Sequence, residues 1–74
     1  MPQEFYQFFV DNVRKKFEVR GPMTDEKALE RKSELERQGR KIDRIPMKAD
    51  VAIQEIASNF ATHSGLTQVD DLSA

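Results

Sequence analysis

The sequence predicts an α+β fold in which a small three-stranded sheet carries two helices, in the order ββαβα. Three observations support this fold class. Aromatic and β-branched residues cluster near the N-terminus, a charged stretch with helix signals follows, and an apolar stripe with helical spacing comes later. We expect one α/β domain over residues 1–65 of the 74-residue chain, and a flexible acidic C-terminal tail over residues 66–74.

The N-terminal region is predicted to form a β-hairpin with a two-residue turn at Asp11 and Asn12. This register places Val10 opposite Val13 and gives the hairpin one apolar face, consisting of Tyr6, Phe8, Val10, Val13, Phe17 and Val19. The alternative is an N-terminal helix, which would give an αβαβα-like order. It has support because apolar residues also recur there at a spacing of about 3.6, namely Tyr6, Phe9, Val10, Val13 and Phe17.

A charged helix from about Thr24 to Gln38 should follow the second strand. Gly21-Pro22 is predicted to end that strand, Thr24 is a suitable N-cap, and Gly39 suits the left-handed position after the helix. Residues 41–47 are predicted to form the third strand. Because strand–helix–strand crossovers are parallel, this strand should run parallel to the second and lie beside the first, in the order 2-1-3.

The second helix is predicted to begin at an Asp50 cap and to end at Gly65. Its apolar stripe has spacings of four, three and four residues, and consists of Ala49, Ile53, Ile56 and Phe60. The stripe has two interpretations. It packs on the sheet of the same domain, or it forms a seam with a second copy or a partner helix.

Composition excludes several classes of function. Basic and acidic residues number 12 and 13, so the chain lacks the global positive field of a dedicated duplex-binding protein. It has no cysteine, one histidine and no phosphate-binding glycine motif. We therefore expect no catalytic, metal or cofactor site, and no enzyme. The chain also has no apolar run near ~18 residues, so we expect no membrane span and a cytoplasmic location.

These observations favour a small non-catalytic protein-binding or regulatory module. It would act on a protein partner or as a homodimer. A short acidic chain of this kind also suits a phage- or plasmid-encoded accessory protein that inhibits a host complex. The predicted protein-interaction residues lie on the two helices, and they are Ile53, Ile56, Phe60, Glu30, Arg31, Glu34 and Arg37.

A single-stranded nucleic-acid-binding module is the alternative function. If the hairpin forms, two phenylalanines lie on the face opposite its apolar core, among cations. Exposed aromatics among cations can stack bases and contact phosphates. The residues concerned are Phe5, Phe9, Arg14, Lys16 and Arg44. The competing explanation is that the second helix covers Phe5 and Phe9 as ordinary core.

Overall fold

A β-hairpin forms the centre of the sheet in the computed structural model, which describes residues 3–48 and 50–73. β1 (Glu4–Asp11) pairs antiparallel with β2 (Lys16–Thr24). The Asp11 carboxylate stabilises the connecting loop, because its Oδ1 accepts hydrogen bonds from the backbone N–H groups of Val13 and Arg14 at 3.1 and 3.0 Å. This architecture confirms the hairpin and excludes the N-terminal helix.

The register of the hairpin differs from the prediction. Val10 pairs with Phe17 and not with Val13, because residues 12–15 form a four-residue loop in place of the expected two-residue turn. Val13 therefore leaves the apolar face and lies in the loop. The predicted register fails because the Asp-Asn pair is not the turn itself: Asp11 is the last residue of β1, and its side chain caps the loop.

β2 does not end at Gly21-Pro22 as predicted, but continues through both residues to Thr24. An irregularity in the pairing with β1, between Phe5 and Gln7, accommodates them. Gly21 has a φ of +126°, and a Cβ atom there would lie 2.8 Å from the carbonyl oxygen of Phe5. Glycine is therefore required at this position by both the backbone conformation and the close approach of β1.

Thr24 begins α1 (Asp25–Glu36) as predicted, since its Oγ1 accepts a hydrogen bond from the Lys27 N–H at 3.3 Å. Gly39 follows with the expected positive φ of +82°. β3 (Asp43–Lys48) then pairs antiparallel with β1, on the side of β1 that faces away from β2. It therefore runs in the same direction as β2. This confirms the predicted order and direction of the first three strands.

α2 (Ile53–Ser64) begins after Ala52, which has no side-chain capping bond, so the prediction of an Asp50 cap is wrong. It ends at Gly65, with a φ of +71°, as predicted. A fourth strand, β4 (Thr67–Gln68), then pairs parallel with β2. The sheet is thus four-stranded and mixed, in the order β3-β1-β2-β4, which corrects the three-stranded ββαβα prediction.

The segment after β4 packs against the rest of the fold, where the sequence predicts a flexible tail over residues 66–74. Leu66 and Leu72 are buried, and Leu72 is only 2% exposed. The Val69 N–H donates to the Phe17 carbonyl oxygen at 2.9 Å. Residues 66–73 are therefore part of the packed fold. Ala74, the last residue of the predicted tail, and Ala49 of the predicted stripe lie outside the described residues.

The two helices cover opposite faces of the sheet. On the α2 face, Phe60 makes edge-to-face contacts with Phe8 and Phe17, at ring-centre distances of 5.3 and 4.9 Å. Ile53 and Ile56 of the predicted stripe pack against the same cluster. On the α1 face, the apolar cluster consists of Phe9, Ala28, Leu35, Ile42 and Leu72. Neither helix, within the described ranges, has the length and hydropathy of a membrane-spanning segment.

Candidate binding surface at the hairpin end

The topology brings three loop segments together at one end of the sheet, which we call the hairpin end. The β1–β2 loop lies there, and β3 starts beside it because Val10 pairs with Asp43. Residues 37–42, which connect α1 to β3, reach the same end. β4 begins there too, because Thr67 pairs with Lys16. The hairpin end therefore consists of residues 12–16, 37–43 and 65–67.

Val13 is the most exposed large apolar residue of the described chain, at 76%, and lies in the β1–β2 loop. The neighbouring Asn12 is held in place because its Nδ2 donates to Asp43 Oδ2 at 2.9 Å. The other strongly exposed large apolar residue is Leu29, at 51%, on the outer side of α1. Val13 thus presents an apolar contact point on a loop that is anchored on both sides.

Two grooves flank this loop. The loop groove, of about 460 Å³, is lined by Asn12, Val13, Lys41 and Asp43. The C-terminal groove, of about 340 Å³, is lined by Arg14, Lys16 and Arg40 together with residues 69–72. Both depressions are of the size that accommodates side chains of a partner or a small ligand. Their common border is the β1–β2 loop.

Charge is unevenly distributed between the two ends of the sheet. At the hairpin end, several cations form no ion pair with any described residue, and these are Arg14, Lys15, Lys16, Arg37 and Lys41. At the opposite end, the residues without an ion pair to the described chain are mainly acidic, namely Glu4, Glu26, Asp50 and Glu55, together with Lys27 and Lys48. Asp43 at this end and Asp70 in the adjoining C-terminal groove temper the positive charge. The local field there still favours an acidic partner.

Glu18 organises the α1 face beside the C-terminal groove. Its side chain is fully buried, and its Oε1 accepts hydrogen bonds from Arg31 Nη2 at 2.8 Å and from the Leu72 N–H at 3.4 Å. Arg20 donates to the other carboxylate oxygen. Arg31 Nη2 also donates to Asp71 at 2.8 Å. These bonds attach residues 71–72, which line the groove, to β2 and α1.

The same contacts shift two pKa values. The pKa of Asp71 is lowered to about 2, because the hydroxyl and the backbone N–H of Ser73 and then the Arg31 guanidinium donate to its carboxylate. Burial lowers the pKa of Arg31, but its bonds to Glu18 and Asp71 outweigh this effect and raise it. The charged forms of both residues are therefore favoured in the folded protein.

The predicted nucleic-acid surface does not assemble as expected. Phe9 is fully buried in the α1-face cluster, and Phe5 is half-buried. The cover over Phe9 is α1 and the C-terminal segment, not the second helix. Arg44 is held by Gln7 Oε1 at 3.2 Å and by Asp25 Oδ1 at 2.9 Å. Of that set, Arg14 and Lys16 are exposed, and both lie at the hairpin end.

The predicted protein-interaction residues fall in two places. Ile53, Ile56 and Phe60 are half-buried against the α2-face core. Glu30 and Glu34 are exposed on α1, and Arg37 is exposed directly after it. Arg31 is the exception, because its side chain is only 13% exposed and bonds Glu18, Glu34 and Asp71. Arg31 therefore contacts mainly residues of its own chain and offers a partner less surface than the other three.

Sequence reasoning missed Val13 and Lys41 as candidate binding residues. The signal that could have found the loop is the run Arg14-Lys15-Lys16, which is separated from the Asp11-Asn12 turn signal only by Val13. Among the residues that the structure describes, no group of His, Asp and Glu side chains is arranged to hold a metal ion. Comparison of the chain with protein-family models, with curated proteins and with solved structures found no match.

Proposed function

We propose that this chain is a non-catalytic protein-binding module whose contact surface is the hairpin end. The observation that carries the proposal is the position of Val13, which is 76% exposed between two grooves and next to cations without ion pairs. Interfaces combine an apolar centre with a polar rim, and charge complementarity speeds association and selects the partner. The partner surface is accordingly acidic, with an apolar pocket or patch for Val13.

A protein partner is favoured over single-stranded nucleic acid by the position of the aromatic residues. Sequence-tolerant binding of single strands depends on bases that stack on exposed aromatic rings. Phe9 is fully buried, and the exposed tip of the hairpin carries an aliphatic residue, Val13. The cations of the hairpin end remain available for phosphates, so oligonucleotide binding is included below as a contradicting outcome.

Site-specific photocrosslinking tests the proposal. A photoreactive phenylalanine replaces Val13 in one sample and Leu29 in another, because both residues are strongly exposed but lie on different surfaces. In the native cells, position 13 should give a defined adduct with a protein, and position 29 should not. An adduct of twice the chain's mass would identify a second copy as the partner, which is the homodimer alternative.

Matched charge variants sharpen this experiment. Arg14→Gln with Lys16→Gln removes two cations from the hairpin end, and Lys27→Gln with Lys48→Gln removes two from the opposite end. The first pair should strongly reduce the adduct, and the second pair should leave it unchanged. Equal effects of the two pairs, an adduct of equal yield from position 29, or an adduct with nucleic acid would contradict the proposal.

A further inference from the structure

Arg40 is the buried cation of the C-terminal groove. Its side chain is 10% exposed, and its one hydrogen bond to the described chain is a long one, from Nη1 to Asp11 Oδ2 at 3.5 Å. Its buried Nε–H has no acceptor. Buried donors are almost always satisfied in native proteins, and an exception commonly marks an ion, a water molecule or a ligand group. The hydrogen-bonding capacity of this guanidinium is therefore largely unused.

Two further cations line the same groove. Arg14 and Lys16 are exposed there, and neither forms an ion pair with a described residue. Arg14 and Arg40 contribute planar guanidinium groups, which match the geometry of carboxylate and phosphate oxygens, and Lys16 contributes a point charge. Three cations of these types around one depression of about 340 Å³ form an arrangement suited to a single oxyanion.

The two acidic residues that line the groove differ in how strongly they would repel a bound anion. Asp71 is already compensated, because Arg31 and Ser73 donate to its carboxylate and Arg20 lies 3.8 Å away. Asp70 is exposed and forms no ion pair with the described chain. The groove is therefore lined by three cations and by one carboxylate without a partner in the described chain, Asp70. Repulsion from Asp70 would weaken the binding of an anion.

We propose that the C-terminal groove is an oxyanion subsite, with Arg40 at its base and Arg14 and Lys16 at its rim. The oxyanion is a carboxylate or a phosphate group on the acidic segment of the partner. This inference rests on the proposed function for the source of the oxyanion. The site itself is defined by the three cations and is tested without the partner.

The experiment is a titration of the isotope-labelled protein, followed by its backbone amide signals. The probes are inorganic phosphate and three short capped peptides that differ in one residue, which is phosphoserine, glutamate or serine. Sodium chloride at matched ionic strength is the reference for general screening. We expect saturable shifts at Lys16, Arg40 and Leu72 with phosphate, and with the phosphoserine or the glutamate peptide, but not with the serine peptide. Which charged peptide binds more tightly identifies the oxyanion.

Variants establish whether the shifts report the groove. Lys16→Gln should weaken binding by about tenfold, the effect of one charge-assisted hydrogen bond. Lys15→Gln makes the same charge change at the adjacent position, outside both grooves, and should have little effect. Asp70→Asn should tighten binding. Arg40→Gln should abolish it, and the exposed Lys16 variant keeps the test valid if that change unfolds the protein.

The outcomes separate this inference from the proposed function. Shifts that match those with chloride, or equal losses from Lys15→Gln and Lys16→Gln, would overturn the oxyanion subsite. A crosslinked partner at position 13 would still stand in that case. Saturable phosphate binding in the groove without any crosslink at position 13 would support the subsite and remove its proposed source.

Discussion

The two faces of the sheet are closed by different physical means. On the α2 face, Phe8, Phe17 and Phe60 form an aromatic cluster with aliphatic residues around it. On the α1 face, the apolar cluster around Phe9 is smaller and is bordered by buried charges, chiefly Glu18 with Arg31. Both faces pack a helix, but only the α1 face depends on polar partners being correctly placed.

The difference indicates which face mainly stabilises the fold and which face places the candidate binding surface. The aromatic face provides non-directional stabilisation from the removal of apolar surface from water. The charged face provides direction, because Glu18 and Arg31 bond only a segment placed where Leu72 and Asp71 lie. That segment forms one wall of the C-terminal groove. The ion pairs of the α1 face thus position one part of the candidate binding surface, the C-terminal groove.

The largest effect is expected from the aromatic face. Phe17→Ala should lower the free energy of unfolding by about 3–5 kcal/mol, because it removes a buried ring that contacts both other phenylalanines. That loss approaches all the stability expected for a core of this size, so the variant should be largely unfolded. Urea unfolding followed by circular dichroism measures it. Val13→Ala is the control on the same hairpin and should change stability by less than about 0.5 kcal/mol.

The apolar pattern of the sequence predicted the α2 face well. Phe8, Val10, Phe17 and Val19 do share a face. Side chains two residues apart in a strand lie on the same face, and the difference in register did not separate these four residues. Ile53, Ile56 and Phe60 pack on that face as one of the two interpretations expected. The register itself failed because the turn chemistry of Asp11 allows a loop as well as a two-residue turn.

The α1 face and the candidate site were much less predictable. Glu18 is fully buried, but nothing in the sequence around it indicates this. Its partners Arg31 and Leu72 are distant in the chain. The polar, aperiodic sequence of residues 66–74 predicts a tail. The order of residues 66–73 depends on contacts with Phe17, Glu18 and Arg31, which only the tertiary fold reveals.

Changes at the first residues of the two helices should have an intermediate effect on stability. They also allow a direct comparison between the two faces. Thr24 caps α1, whereas Ala52 at the start of α2 makes no side-chain capping bond. Thr24→Ala should destabilise the protein by about 1 kcal/mol, and Ala52→Ser should stabilise it by a comparable or smaller amount. Urea midpoints of the two variants check this. Loss of stability in both variants would show that α2 gains nothing from a cap.

The smallest effect concerns acid. Because the pKa of Asp71 is about 2 when folded and near 3.8 as the ordinary value, its contribution to stability is complete above about pH 5 and is lost as the pH falls through 3.8 towards 2. Asp71→Asn removes that contribution. The stability difference between wild type and this variant should therefore shrink over this interval, as measured by urea unfolding at several pH values. A difference that stays constant down to pH 2 would contradict the assigned role of Asp71.

The central claim is that paired charges, and not apolar contacts, fix the α1 face and the wall of the C-terminal groove. A double-mutant cycle between Glu18 and Arg31 tests this most directly, with urea unfolding for stability and hydrogen exchange at the Leu72 amide for the groove wall. Arg31→Met alone should cost about 3 kcal/mol, because Glu18 stays buried with one of its two arginines missing. Combining it with Glu18→Leu should restore much of the stability, while the Leu72 amide should lose its protection because its acceptor is gone. Single changes whose effects simply add in the double variant, with Leu72 protected throughout, would contradict the account.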